Sequence, residues 1–241
     1  MWRILSSATF GLCVLTWAMP AQADDQADPR AIIERAIKAS GGEDLLAKNQ
    51  AQTWNETGTF YGMGEGLPFK GVYASQLPNQ FKMAIENVFT IVINGDKGWM
   101  NDTEMNAEQL TEFKENNYAG WVSSLLPLKD KEFTLAAVEG TKVGNEPAVG
   151  VKVSHAGHRD LKLYFDKKTG LLVKVVMRAK AEDLGGKEVD QESELREYKD
   201  MNGIKVPMKV VITRDGKRYV EAEISDWKGS EKLPDSVFAK P

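Results

Sequence analysis

Two histidines, His155 and His158, stand in an H-x-x-H spacing around Ala156-Gly157, with Asp160 just beyond. A tight turn can bring such a set onto one metal ion. A zinc site usually needs three protein ligands or more, however, and two histidines at a hairpin tip are more often solvated turn residues. Ser154 precedes His155, but strand alternation sends adjacent side chains to opposite faces, and no Gly-x-Ser-x-Gly elbow occurs. Glu192 and Glu194 can share a strand face and support acid-base chemistry, yet they lie in the charged run Glu188 to Asp200, which reads as a solvated outer face. Gly62, Gly64 and Gly66 suggest a phosphate cradle, but no helix and no lysine at Walker spacing follow them. None of these constellations requires a reaction to explain it. The expectation is a non-enzyme with no catalytic residues, no metal and no cofactor; a hydrolase or metal-dependent enzyme using His155, His158 or Asp160 is the remoter alternative.

The element most able to position a site is the stretch from Asn106 to Leu126. Leu110, Phe113, Trp121, Val122 and Leu125 recur at near-helical spacing with Tyr118 close by, which predicts one apolar stripe. Asn106 and Gln109 form a capping pair, Pro127 stops the helix, and Gly120 weakens it enough to predict a break near Ala119-Gly120. Ordinary core packing and a helix lining a ligand cavity both fit this stripe. A shorter helix starts at Asp28-Pro29 and carries Ile32, Ile33, Ala36 and Ile37. Gly41-Gly42 ends it, and a turn from Glu43 to Lys48 brings Leu45 and Leu46 toward the same core.

The first residues read as a secretory leader: Arg3, an apolar run from Phe10 to Met19, then the small-residue signal Ala21-Gln22-Ala23. Residues 1–23 are expected to be cleaved, leaving 24–241 as a single periplasmic or secreted domain. The apolar run is shorter than the roughly 20 residues a membrane span needs, so no transmembrane segment is expected in the mature chain. Cys13, the only cysteine, leaves with the leader, so no disulfide or thiolate site is expected. The chain has 31 Lys and Arg against 35 Asp and Glu; losing Arg3 leaves the mature net charge at −5. The two signs are interspersed without a basic stripe, which argues against a nucleic-acid partner.

From Thr53 the hydrophobic period changes to two. Trp54, Glu56, Gly58 and Phe60 point one way, and strands follow at Lys70 to Gln76 and Phe81 to Glu86. Val88 to Ile93 is a continuous apolar run, and Asn94-Gly95 leads it into Gly98-Trp99-Met100 as the expected central hairpin. Beyond Pro127 strands alternate with turns at Gly144-Asn145, Lys168-Thr169-Gly170, Asn202-Gly203 and Asp215-Gly216. Leu161, Leu163 and Phe165 oppose Lys162 and Asp166; Val206, Met208, Val210 and Ile212 oppose Lys205 and Lys209; Val220, Ala222 and Ile224 oppose Glu221 and Glu223. A large antiparallel sheet with one wet face must curl over its dry one, and the helices are what can fill it. The candidate cavity lining is Trp54, Phe60, Tyr73, Phe81, Met83, Phe89, Ile91, Trp99, Phe113, Trp121 and Leu125, with the glycine loop and Gly120 allowing it to open.

Thr169-Gly170-Leu171-Leu172-Val173-Lys174 after Tyr164-Phe165-Asp166, then Gly203-Ile204-Lys205-Val206-Pro207, and Leu233-Pro234-Asp235-Ser236-Val237-Phe238 with Pro241 resemble the LolA/LolB-like outer-membrane lipoprotein-sorting superfamily. Asn94-Gly95-Asp96-Lys97-Gly98-Trp99 looks like that group's strand-turn-strand before its helix. The resemblance implies an α+β, mainly β fold: a curved antiparallel sheet forming an incomplete barrel closed by helices. It also implies an apolar concavity that takes lipoprotein acyl chains. The expected role is a monomeric periplasmic carrier for a lipid or other hydrophobic small molecule; the alternative is an envelope sensor or scaffold that binds another protein. The long loop from Gly62 to Gly66 departs from the family pattern, and no residue matches the arginine that holds the carrier's lid.

Overall fold

Asp28 caps the first helix through a 3.0 Å bond accepted from the Arg30 amide, with Pro29 in the first turn, where an amide hydrogen would have no partner. In this computed structural model, which describes residues 28–181 and 185–241, that helix is α1 (Pro29–Ser40). The expected leader and its cleavage point lie outside the described residues. α1 buries Ile32, Ile33, Ala36 and Ile37. The Arg30 guanidinium donates to the carbonyls of Leu128 (2.8 Å) and Phe133 (3.1 Å), tying α1 to a distant segment. A short α2 (Glu43–Ala47) follows; Leu46 reaches the core, but Leu45 stays 36% exposed, contrary to expectation.

Thirteen antiparallel strands form one sheet: β1 (Ala51–Phe60), β2 (Leu67–Gln76), β3 (Gln80–Ile85), β4 (Phe89–Asn94), β5 (Lys97–Met100), β6 (Thr103–Glu104), β7 (Thr134–Val143), β8 (Glu146–Ser154), β9 (Leu161–Asp166), β10 (Leu172–Ala181), β11 (Lys187–Met201), β12 (Ile204–Arg214) and β13 (Lys217–Ser230). Their order is β6-β5-β4-β3-β2-β1-β13-β12-β11-β10-β9-β8-β7, so the first and last strands pair at the centre. The hairpin expected to be central, β4-β5, lies near an edge because the chain leaves β6 for a helix and only that two-residue strand flanks it. Its turn is also one residue later than expected: Asn94 pairs with Lys97, and Gly95, at φ 61°, begins the reversal.

The long helix α3 (Ala107–Ser123) has the expected capping box, Asn106 and Gln109 each accepting the other's backbone hydrogen bond at 2.9 and 3.2 Å. It does not break at Gly120. That residue faces solvent, while Tyr118, Ala119 and Val122 beside it are buried, and their packing outweighs a propensity cost of about 1 kcal/mol. After α3, a 3-10 turn (Leu126–Lys129) containing Pro127 buries Leu128.

The expected single stripe on α3 is in fact two faces. Leu110 and Phe113 pack on Ile91, Ile93 and Met105 beside β4, whereas Tyr118, Ala119 and Val122 join Val151, Leu163 and Val175 of β8–β10. In the sheet order β4 and β10 are seven steps apart, about 33 Å if the sheet were flat, yet both touch a helix about 10–12 Å across. The sheet must therefore curl until its wings flank α3. It is a half-barrel, open between strands and closed by the helix, as the fold class anticipated.

The outer face is charged where expected, with Lys209 bonded to Glu221 at 2.9 Å and Lys174 to Glu192 at 2.7 Å. Asp166, expected to be outward and solvated, is buried: its Oδ1 accepts from the Lys168 and Thr169 amides and the Thr169 hydroxyl, fixing the β9-β10 turn. A second 3-10 turn (Asp235–Phe238) places Phe238 on Ala74 and Val92 of the convex side.

Candidate ligand-binding face

Cross-strand register assembles the inner face row by row. Trp54 opposes Tyr73, Tyr73 opposes Met83, and Met83 opposes Ile91, so four of the candidate residues form one line across β1–β4. The Trp54 and Tyr73 rings stack with centroids 5.2 Å apart and planes within 14°, and Tyr73 meets Phe81 at 6.4 Å. Phe81, Met83, Phe89 and Phe113 surround Ile91 and Ile93. The structure thus brings together Trp54, Tyr73, Phe81, Met83, Phe89, Ile91 and Phe113 as a continuous apolar wall. Phe60 stands farther along β1, its ring centroid 5.1 Å from that of Tyr219 with the planes nearly perpendicular.

The other three candidates do not join this wall. Trp99 opposes the convex-facing Val92 and packs with Phe238 outside the half-barrel, because a two-residue turn pairs odd positions of β5 with even positions of β4 and so sets Trp99 on the face opposite Ile91. Leu125 is sealed in the main core, and Trp121 packs edge-on against Phe133 at 5.6 Å. Both belong to the filled side, where α1 and α3 cover β8–β10. Gly120 lies on the solvent side of a continuous helix.

Between the wall and the filled side lie the inner positions of β1, β13 and β12. Trp54, Glu56 and Phe60 continue into Ile224, Ala222 and Val220, then into Val210 and Ile212. Apart from buried Ala222, these side chains are half-buried, in contrast to the sealed Val151, Val153 and Leu163. Two clefts of about 250 and 340 Å³ lie elsewhere, beside Val143 and Leu195 and beside Asn49 and Trp227, and none of the candidate residues lines either.

Sequence reasoning missed three carboxylates. Glu56 sits on this apolar inner face, where its Oε1 accepts from the Trp54 indole at 2.8 Å and the Tyr73 hydroxyl is its other hydrogen-bonding partner. Burial pushes the Glu56 carboxyl above its usual range, against the lowering effect of those two donors. Burial, with Glu56 beside it, likewise pushes the Tyr73 hydroxyl strongly upward. The clue in the sequence was an acid at an apolar-face position between Trp54 and Gly58.

Glu112 and Glu115 lie on the buried face of α3, 7% and 8% exposed. Glu112 receives the Arg159 guanidinium on both oxygens, one contact at 2.9 Å, and the Lys180 amide at 3.1 Å. Those contacts, the Arg159 bond foremost, hold its carboxyl below the usual range despite burial. Glu115 takes the Arg159 amide at 3.0 Å and His158 Nδ1 at 2.8 Å. His158 is an exposed turn residue that nonetheless has specific partners, whereas His155 is half-buried. His158 stacks on Tyr118 at 3.8 Å, and His155 stacks on Phe133 at 4.4 Å. Burial pushes the Tyr118 hydroxyl to about 12. Asp160 pairs with Lys152 instead, and among the described residues no three His, Cys, Asp or Glu converge as a metal set. Glu192 and Glu194 share one lysine, Lys174, at 2.7 and 3.7 Å on the outer face.

No protein-family model matches the sequence, and no curated protein matches it. Solved structures do match the fold. A LolA superfamily protein from Nitrosomonas europaea superposes with a TM-score of 0.58 at 12% identity, covering 89% of this chain and 98% of that one. This chain has a LolA-like fold. A DUF1329 family protein from Desulfovibrio piger gives 0.58 at 13% identity, with 88% and 98% covered. A domain described as an outer membrane lipoprotein-sorting protein, from Vibrio parahaemolyticus, gives 0.57 at 11%, again with 88% and 98%. In this chain's LolA-like fold, Arg159 on the β8-β9 turn ties the closing helix to one wing, while Leu110 and Phe113 tie it to the other.

Proposed function

We propose that this protein is a non-catalytic binding protein for a hydrophobic ligand such as a lipid or an acyl chain, working in the periplasm after loss of its leader. One observation carries the reading: a half-buried apolar strip on the inner face of β1, β13 and β12, lying between a wall of aromatic side chains and a sealed core. Filling that strip removes apolar area from water at about 25 cal/mol per Å², enough for an alkyl chain to bind without any reaction. The LolA-like fold and the lipoprotein-sorting description of one structural relative are consistent with this role. The leader-like first residues support the compartment.

Native mass spectrometry of the protein recovered gently from the cell envelope tests this. A discrete mass excess released by organic solvent supports the carrier reading and identifies the cargo class. A clean apo mass, together with no uptake of Nile red by the purified protein, overturns it.

A further inference from the structure

An apolar chain needs no polar partner, yet the strip described above holds a carboxyl. Glu56 opposes Gly71 on β2 and Ile224 on β13, so neither cross-strand neighbour offers it a charge. The Tyr73 ring lies across Gly71, where a Cβ would come within 2.7 Å of the ring, and this placement brings the phenol to the carboxyl. With Trp54 stacked on Tyr73, the acid stands at the edge of two aromatic faces.

We infer that Glu56, Trp54 and Tyr73 form a headgroup site, and that the amphiphile this protein binds carries a cationic amino group. The inference rests on the binding reading above and adds the ligand's polar end to it. An ionised carboxylate has about four acceptor positions, and the indole and phenol supply two donors, so capacity for an ammonium remains. An anionic headgroup meets repulsion from the same carboxylate. Burial already disfavours the charged form of Glu56, and an ammonium at hydrogen-bonding distance restores it. The cation farther along the face, Arg214, is held 3.6 Å above the Tyr219 ring and donates to Gln191 at 3.0 Å, beyond Phe60 from this site.

Isothermal titration of the protein with dodecylammonium, dodecanol and dodecanoate, each below its micellar concentration, separates headgroup from chain. The expected result is that dodecylammonium binds about tenfold or more tighter than dodecanol, and dodecanoate weakest. In Glu56→Gln, which keeps the side-chain shape, the ammonium and alcohol affinities are expected to converge. Equal affinity for ammonium and alcohol in the wild type overturns the headgroup site and leaves the chain-binding reading standing; that comparison needs no variant. A preference that survives Glu56→Gln overturns the assignment to Glu56. No binding of any of the three overturns the carrier reading itself.

Discussion

The Arg159 guanidinium grips both oxygens of Glu112 across the seam between α3 and the β8-β9 turn, and the Lys180 amide completes the carboxylate's shell. With Glu112 buried and Arg159 mostly so, removing one partner strands the other's charge. Glu112→Gln is expected to lower unfolding free energy by about 2 kcal/mol, measured by urea denaturation at neutral pH. An unchanged midpoint would show that the pair contributes nothing net.

The same pair gives stability a pH dependence of defined sign. Glu112 has a folded-state pKa held below its ordinary 4.5, mainly by Arg159. The unfolded chain therefore binds protons first, and the contribution is present above about pH 4.5 and lost as pH falls through the folded value. Urea midpoints between pH 3 and 7 are expected to fall on the acid side more steeply in the wild type than in Glu112→Gln. Parallel curves would contradict the assignment.

Glu56 has the opposite sign. Its folded pKa is raised by burial, so folding loses stability as pH rises from the ordinary carboxylate range through the folded value. At pH 7, Glu56→Gln is expected to raise stability by about 1 kcal/mol while removing headgroup preference. A loss of stability would place Glu56 in a structural role.

Trp121 and Trp54 separate core from binding face. Trp121→Ala opens space against Phe133 in the main core and is expected to cost about 3 kcal/mol. Trp54→Ala, at a half-buried position, is expected to weaken Nile red uptake several-fold with a smaller stability cost. Unchanged dye affinity in folded Trp54→Ala would count against the inner face as the site.

Gly120 is exposed in the middle of α3, and a Cβ there meets nothing within 4 Å. Gly120→Ala is expected to raise stability by about 0.5–1 kcal/mol and leave ligand affinity unchanged, checked by thermal melts and titration. Reduced affinity would reveal a hinge at this glycine.

Strand positions, the helix cap and the two-faced strands were legible in the sequence because each depends on residues close together in the chain. Asn106 and Gln109 announce their capping box over three residues, and Val206 to Ile212 announce an inner face by alternation. Long-range relationships were not legible. Nothing local gives Trp99 its partner Phe238, which comes from the far end of the chain. Nothing local pairs Glu112 with Arg159, 47 positions away. The glutamates of α3 form an interior seam only because the sheet curls around to meet them.

The β1-β13 pairing sets an order on assembly. The strands from β1 to β6 form one sequential meander and those from β7 to β13 another, each zipped by contacts near in sequence. Their junction joins Ala51 to Ser230, so its loop closure spans most of the chain and is the costliest entropically. A chain released before Ser230 leaves two half-sheets with exposed backbone edges. The inner strip of β1, β13 and β12 straddles that junction, so it exists only once the last strand has paired.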